Sequence, residues 1–264
     1  MSDFWDNAMS LAEGTLLARL ELDGKAAFGK VIGDSIELLD DSLATTGQLV
    51  KASGAVLKTP IDPVKIWCIG LNYREHAKES NLERIPDEPC VFMKPRTCVI
   101  APGDAIGVPS WTGRVDYEGE LAIVMGKTCK NVSPGDALDY VLGYSCFNDV
   151  SARVLQKEDG QWIRAKGFDT FGPFGPAILV QRKIPATAVL TTKLNGKTVQ
   201  QGPFSDMIFS PDKIVSHISR FATLEAGDII ATGTPAGVGP IAPKDSVEIT
   251  IDGIGALKNP VAAV

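Results

Sequence analysis

The segment Val115-Asp116-Tyr117-Glu118-Gly119-Glu120-Leu121-Ala122-Ile123-Val124-Met125 constrains the fold more than any other part of the chain. Leu121 to Met125 is unbroken apolar sequence containing Ile and Val, so it reads as a buried strand. Extended backward, that strand carries Glu118 and Glu120. Side chains alternate between the two faces of a strand, which puts both carboxylates on one face beside Ala122 and Val124. Two inward carboxylates repel each other and lose hydration. Such a pair requires a divalent cation, a lysine or arginine, or a shared proton between its members.

The 264 residues suffice for one large domain, or for a main domain with a small appendage. A formal net charge of −6 and the lack of a basic run argue against a nucleic-acid partner. The 26 glycines and 17 prolines suit a turn-rich, β-rich fold. Cys68, Cys90, Cys98, Cys129 and Cys146 are odd in number and show no CxxC spacing, as expected of reduced thiols in a cytoplasmic protein. No apolar stretch approaches the ~18 residues that span a bilayer, so no membrane partner is expected. The acidic, polar start at Ser2, Asp3, Asp6 and Asn7 is unlike a signal peptide.

Residues 1–60 read as a small N-terminal β-rich domain. Leu16 to Leu22 ends at the hairpin signal Asp23-Gly24, and Ala26 to Ile32 and Ser35 to Leu39 follow. Gln48 to Ser53 is helix-compatible, and Pro60 and Pro63 mark the joint to residues 61–264, the expected catalytic domain. Ile66 to Leu71 is a short buried strand. Next comes a helix-forming piece in which Asn72 is a candidate N-cap and His76 and Glu79 are neighbours on one face. At that spacing the pair is either a solvated contact or a base with its orienting carboxylate.

Residues 80–89 are charged, hold two prolines and read as a mobile loop able to close over a site. Further strands are expected at Val91 to Lys94, Val141 to Phe147, Ala177 to Val180 and Val189 to Leu194, with Val247 to Ile251 as the last. Pro211 to Phe221 fits an amphipathic helix. Asp149 follows a strand end, where catalytic groups sit, but it also suits a helix cap. Lys166, in a Gly- and aromatic-rich loop, reads on its own as solvated. Thr232 to Gly239 lacks the P-loop and dinucleotide patterns, yet its N–H groups and hydroxyls can face an anion.

Glu118, Glu120 and Asp149 make a hard, all-oxygen donor set suited to Mg²⁺, Mn²⁺ or Ca²⁺, with Arg153 and Lys166 able to offset excess negative charge. The alternative is a salt-bridged structural network.

Five motifs occur in one order. They are Asn72-Tyr73 with His76 and Glu79; Asp116 to Leu121; Gly143-Tyr144 leading to Asn148 through Arg153; Lys166 to Thr170; and Thr232 to Gly239. As a set they resemble the fumarylacetoacetate hydrolase family over about residues 64–260. The resemblance implies a mixed, β-rich α+β fold, a β-sandwich roll with few helices, assembled as a homodimer. It implies Mg²⁺ or Mn²⁺ held by Glu118, Glu120 and Asp149. The founding enzyme has a further metal-binding Asp seven residues before its catalytic His. That place falls near Ile69 here, so the chain is similar to a three-carboxylate subgroup. The implied substrate is a small 2-oxo or 2,4-dioxo acid such as an acylpyruvate. Its C–C bond is hydrolysed through a metal-stabilised enolate, with His76, Glu79 and Lys166 catalytic and Tyr73, Arg153, Gly233 and Thr234 binding substrate. Decarboxylation of an oxaloacetate-like acid, isomerisation and hydration are the implied alternatives.

Overall fold

The computed structural model describes residues 2–79 and 85–264. The chain opens with α1 (Ser2–Met9), where only a β meander is expected. Phe4, Trp5 and Met9 lay one side of this short helix on the core. Then β1 (Leu16–Leu22), β2 (Lys25–Ile32) and β3 (Ser35–Leu39) pair in succession, the first two joined by a tight turn in which Asp23 and Gly24 both have positive φ. The helix expected over Gln48 to Ser53 is instead mostly strand. β4 (Thr45–Lys51) sets Val50 opposite Ile36 and Leu49 opposite Glu37, leaving a single 3-10 turn at Ala52–Gly54. Cross-strand pairing outweighs the weak local preference of a short segment.

The order continues through β5 (Val56–Leu57), β6 (Ile66–Gly70), α2 (Arg74–Glu79) and β7 (Cys90–Lys94). Of the loop expected over 80–89, residues 80–84 lie outside the described residues. Next are β8 (Val99–Ile100), β9 (Ile106–Val108), β10 (Val115–Tyr117), β11 (Gly119–Met125), β12 (Val141–Asn148) and β13 (Ser151–Ala152). α3 (Arg153–Asp159), α4 (Ile163–Lys166), β14 (Gly172–Val180), β15 (Val189–Leu194), β16 (Lys197–Pro203) and α5 (Pro211–Phe221) follow. β17 (Ile229–Ala231), β18 (Gly239–Pro240), β19 (Ser246–Ile251) and β20 (Gly255–Ala263) complete the chain. The last expected strand, at Val247 to Ile251, is therefore followed by another. β20 pairs through Gly255 to Pro260 with β19 and through Val261 to Ala263, in parallel, with β9. Pro260 and a scarcity of β-branched residues hide β20 from a local reading.

A 12-stranded sheet runs β4-β3-β2-β1-β14-β12-β11-β17-β6-β7, with β5 and β8 on its margins. The N-terminal strands join it where β1 pairs antiparallel with β14, and the division expected near residue 60 falls between β5 and β6. A five-stranded sheet, β16-β15-β19-β20-β9, covers one face. Leu121, Ile123, Met125, Tyr144 and Cys146 meet Leu190, Ile249, Ile251 and Leu257 there. The other face buries Ala122, Val124, Leu142, Phe174 and Ile178 with Leu17 and Ala8 of α1. This is the β-sandwich class expected, with few helices. Among the described residues no helix is long and apolar enough to cross a membrane.

Coverage on both faces explains why β11 is apolar without alternation. Every residue of that strand is buried, and each large apolar side chain in it contributes roughly 1.5–3 kcal/mol on leaving water. The acidic segment is not one continuous strand. β10 pairs with β13 and β18, β11 pairs with β12 and β17, and Glu118 stands at the joint. Alternation survives the break well enough to bring both carboxylates to one place.

Candidate active site

Three elements converge at the ends of the central strands. Glu118 and Glu120 come from the joint and start of β11, and Asp149 follows β12. The backbone N–H of Asp149 donates to the Glu118 carbonyl at 2.9 Å, and Asn148 Oδ1 accepts from the Glu118 N–H at 3.0 Å. Ligand oxygens of the three carboxylates lie within 4.8 Å of one another, and all three residues are buried. Asp149 does not cap a helix; the N-cap position of α3 is Ala152, whose side chain makes no cap bond.

Each carboxylate has one oxygen fixed from outside. Arg153 Nη2 holds Glu118 Oε1 at 2.6 Å, Gly233 N donates to Glu120 Oε2 at 2.8 Å, and Lys94 Nζ holds Asp149 Oδ1 at 2.6 Å. The remaining oxygens of Glu118 and Asp149 turn inward to Lys166 Nζ, at 2.9 and 2.5 Å. That inward, hard-oxygen set fits a divalent cation, and the outer donors hold the carboxylates in place for one. Lys166 is not the solvated lysine its local sequence suggests; its side chain is 3% exposed. Burial alone would lower its pKa, but Asp149 and Glu118 outweigh burial and raise it, so it stays charged. Burial likewise pushes the Glu118 carboxyl up, yet Lys166 and Arg153 bring it down to about 2. Burial, then the charges of Asp149 and Glu118, push Glu120 well above 4.5.

Gly233 is required at its position: its φ is +93°, and a Cβ there would lie 2.8 Å from that of Asn72. Asn72 is not the cap of α2. Its amide ties Thr232 O and Phe209 O to the end of β6, and the Asp206 carboxylate instead accepts from the Glu75 N–H. The Gly-rich turn does present N–H groups to anions, and the anions are the protein's own. Gly233 serves Glu120, and Gly237 N lies 3.2 and 3.1 Å from the two oxygens of Glu79.

Glu79 Oε2 stands 3.1 Å from His76 Nδ1, and the His76 side chain is 15% exposed. A cavity of about 300 Å³ brings His76 together with Glu118, Glu120, Arg153, Lys166 and Thr234. The Thr234 hydroxyl donates to Gly119 O and accepts from Gln200, both at 2.8 Å. Tyr73 lies in the core, fully buried, and its hydroxyl meets no partner among the described residues. The second histidine, His217, is in α5 against Phe221.

Several members of the cluster escape a sequence reading. Lys94 ends β7, fully buried, and also donates to Phe171 O at 2.7 Å. Asp116 holds Arg114 and Arg153, the latter at 2.8 Å. Gln156, one helical turn past Arg153, lines the cavity and accepts from Arg153 Nη1 at 2.8 Å. The signal available for Lys94 is a lysine closing an apolar strand directly before a proline.

The family model described as Fumarylacetoacetate (FAA) hydrolase C-terminal matches residues 65–262. The chain belongs to the fumarylacetoacetate hydrolase family. It is 45% identical to oxaloacetate tautomerase YisK of Bacillus subtilis over 74% of this chain and 69% of that one. The crystal structure of 2-hydroxyhepta-2,4-diene-1,7-dioate isomerase from Mycobacterium marinum superposes with a TM-score of 0.86 at 41% identity, covering 94% of this chain and 98% of that one. Maleylpyruvate hydrolase from Sphingobium sp. SYK-6, in complex with manganese(II) and pyruvate, gives a TM-score of 0.80 at 30% identity, covering 94% and 99%. Members of this family of enzymes thus include a tautomerase, an isomerase and a hydrolase. The acidic triad has the donor set for a metal, and a structural neighbour holds manganese.

Proposed function

We propose that this member of the family is a Mg²⁺- or Mn²⁺-dependent enzyme that carries a small 2-oxo acid through its enolate. The observation behind this reading is one cavity lined by Glu118, Glu120, Lys166 and His76, with Asp149 completing the carboxylate cluster behind Lys166 and Glu79 holding His76. A divalent cation held by Glu118, Glu120 and Asp149 would act as a Lewis acid toward the 2-oxo carbonyl and favour loss of a proton from the adjacent carbon.

The chain's own groups supply the rest. Nδ1 of His76 is engaged by Glu79, which leaves Nε2 to take and return a proton. Lys166, kept charged by its carboxylates, offers positive charge to a developing oxyanion. Arg153 and the amide of Gln156 stand ready for a substrate carboxylate, and Thr234 and Val238 complete the lining, with Gly233 holding Glu120 from behind. Charge balance supports an acid that carries two negative charges once it is an enolate, as a 2-oxo monocarboxylate does. Lys94, Lys166 and Arg153 match Glu118, Glu120 and Asp149, and Arg114 matches Asp116. A bound dication then leaves two positive charges for the substrate to neutralise.

Proton transfer without bond cleavage, a keto–enol tautomerisation or related isomerisation, is the reading we take forward. The Bacillus subtilis relative at 45% identity carries that activity in its name. Hydrolysis of a C–C bond in a 2,4-dioxo acid is the second reading. The partial exposure of His76 favours it, since water can reach the base and attack the distal carbonyl. Both are tested by incubating the protein with Mg²⁺ or Mn²⁺ and either oxaloacetate or an acylpyruvate in deuterated buffer. The expected result is enzyme-dependent deuterium exchange at the carbon next to the 2-oxo group, lost on chelation and in His76→Ala. Cleavage of the acylpyruvate promotes the second reading, and exchange that survives chelation contradicts both.

A further inference from the structure

Gly70 ends β6 opposite Cys90, and its backbone is not in the left-handed region. Nothing in the chain path demands glycine there, and glycine weakens a strand. The demand comes from Trp162. A Cβ on Gly70 would lie 2.7 and 2.9 Å from Cζ3 and Cη2 of the indole, inside contact distance. The indole therefore lies directly on the Gly70 backbone. It also meets the Phe92 ring edge-on, with centroids 5.1 Å apart and an interplanar angle of 75°. Lys166 Nζ sits over both rings, 5.1 Å from the Phe92 centroid and 5.9 Å from that of Trp162.

Trp162 is shared by two cavities. One is the catalytic cavity of about 300 Å³. The other, about 400 Å³, is bordered by the apolar Val91, Phe92, Met93 and Ile163 and by Cys90, Gly160 and Gln161. Trp162 belongs to both linings. We propose that Trp162 sets the length of the acid this enzyme accepts. Its indole is the wall that ends the catalytic cavity beside Lys166, and the second cavity, along the side chains of Val91, Phe92, Met93 and Ile163, would take the tail of a longer 2-oxo acid once the wall is cut back. The proposal rests on the substrate class argued above. It adds a specificity determinant held in place by the glycine opposite.

The test is calorimetric binding of 2-oxobutanoate, 2-oxohexanoate and 2-oxooctanoate to the Mn²⁺-loaded protein, with Trp162→Phe, Trp162→Leu and Trp162→Ala compared with the unaltered chain. Circular dichroism selects the variants that fold, and any one smaller than Trp suffices. The unaltered chain should favour the shortest acid. The ratio of eight-carbon to four-carbon affinity should rise in the order Phe, Leu, Ala, by at least tenfold for Trp162→Ala. A length profile that is the same in all folded variants overturns the wall. An unaltered chain that binds no acid of the series removes the substrate class, and the wall with it.

Discussion

At the scale of residues, the site is a problem of buried charge solved by pairing. Lys94 and Lys166 would be costly alone in the core, and so would the carboxylates; Lys94 is held by Asp149 and the Phe171 carbonyl, Lys166 by Glu118 and Asp149, and Glu120 by the Gly233 amide. Glu120 is the strained member. Its folded-state pKa is raised by burial and then by Asp149 and Glu118, so without metal the folded protein binds a proton that the unfolded chain releases. Stability of the chelated protein should therefore fall as pH rises above 4.5, by at most about 1.4 kcal/mol per pH unit. Glu118 acts in the opposite sense in a separate window. Held at about 2, it contributes fully above 4.5 and its contribution is lost as pH falls toward 2. Urea denaturation in chelator between about pH 5 and pH 7 should show the decline, and Glu120→Gln should flatten it while lowering Mn²⁺ affinity by a hundredfold or more. A decline unchanged in Glu120→Gln would assign it to another group.

At the scale of elements, the strand that carries the carboxylates is wired to the helix that carries the dyad. The Tyr117 hydroxyl, next to Glu118, donates to the carbonyl of Gly237 at 2.8 Å, and the amide of the same Gly237 holds Glu79. β10, the Gly-rich turn and α2 thus form one chain of contacts ending at His76. Tyr117→Phe should cost about 1 kcal/mol of stability. It should lower turnover several-fold with little change in KM, because the base is misplaced while the substrate's charge partners remain. Steady-state kinetics beside a denaturation curve checks this; a change confined to KM would place Tyr117 in substrate binding instead. The local reading of α2 finds the helix and the His76–Glu79 spacing. It cannot find Gly237, which lies far along the chain.

At the scale of the whole molecule, protection is graded. β11 and β12 are buried along their full length between two layers, whereas β4 is almost wholly exposed at the far end of the same sheet. Amide hydrogens of β3 and β4 should exchange by local opening, orders of magnitude faster than those of β11 and β12, which wait for global unfolding. Hydrogen exchange read by mass spectrometry checks the gradient. Adding Mn²⁺ at about a hundred times its dissociation constant should slow the β11 and β12 amides by roughly a hundredfold, the equivalent of about 2.7 kcal/mol. β4 should be left unaffected. Uniform slowing along the sheet would mean that the N-terminal strands open only with the rest.

The sequence alone determined what is local or periodic. Alternation put Glu118 and Glu120 on one face, Asp23-Gly24 set a hairpin, the apolar spacing of Pro211 to Phe221 set α5, and ordered motifs announced the family. Tertiary structure decided what depends on distant partners. It turned Gln48 to Ser53 into strand by pairing it with β3, and it made β20 a strand by placing it between β19 and β9. It buried Lys166, whose local sequence suits solvent, and it brought Lys94 to Asp149 across 55 positions of chain. Propensity and period act over a few residues, whereas the energy of a buried charge depends on which opposite charge the fold delivers to it.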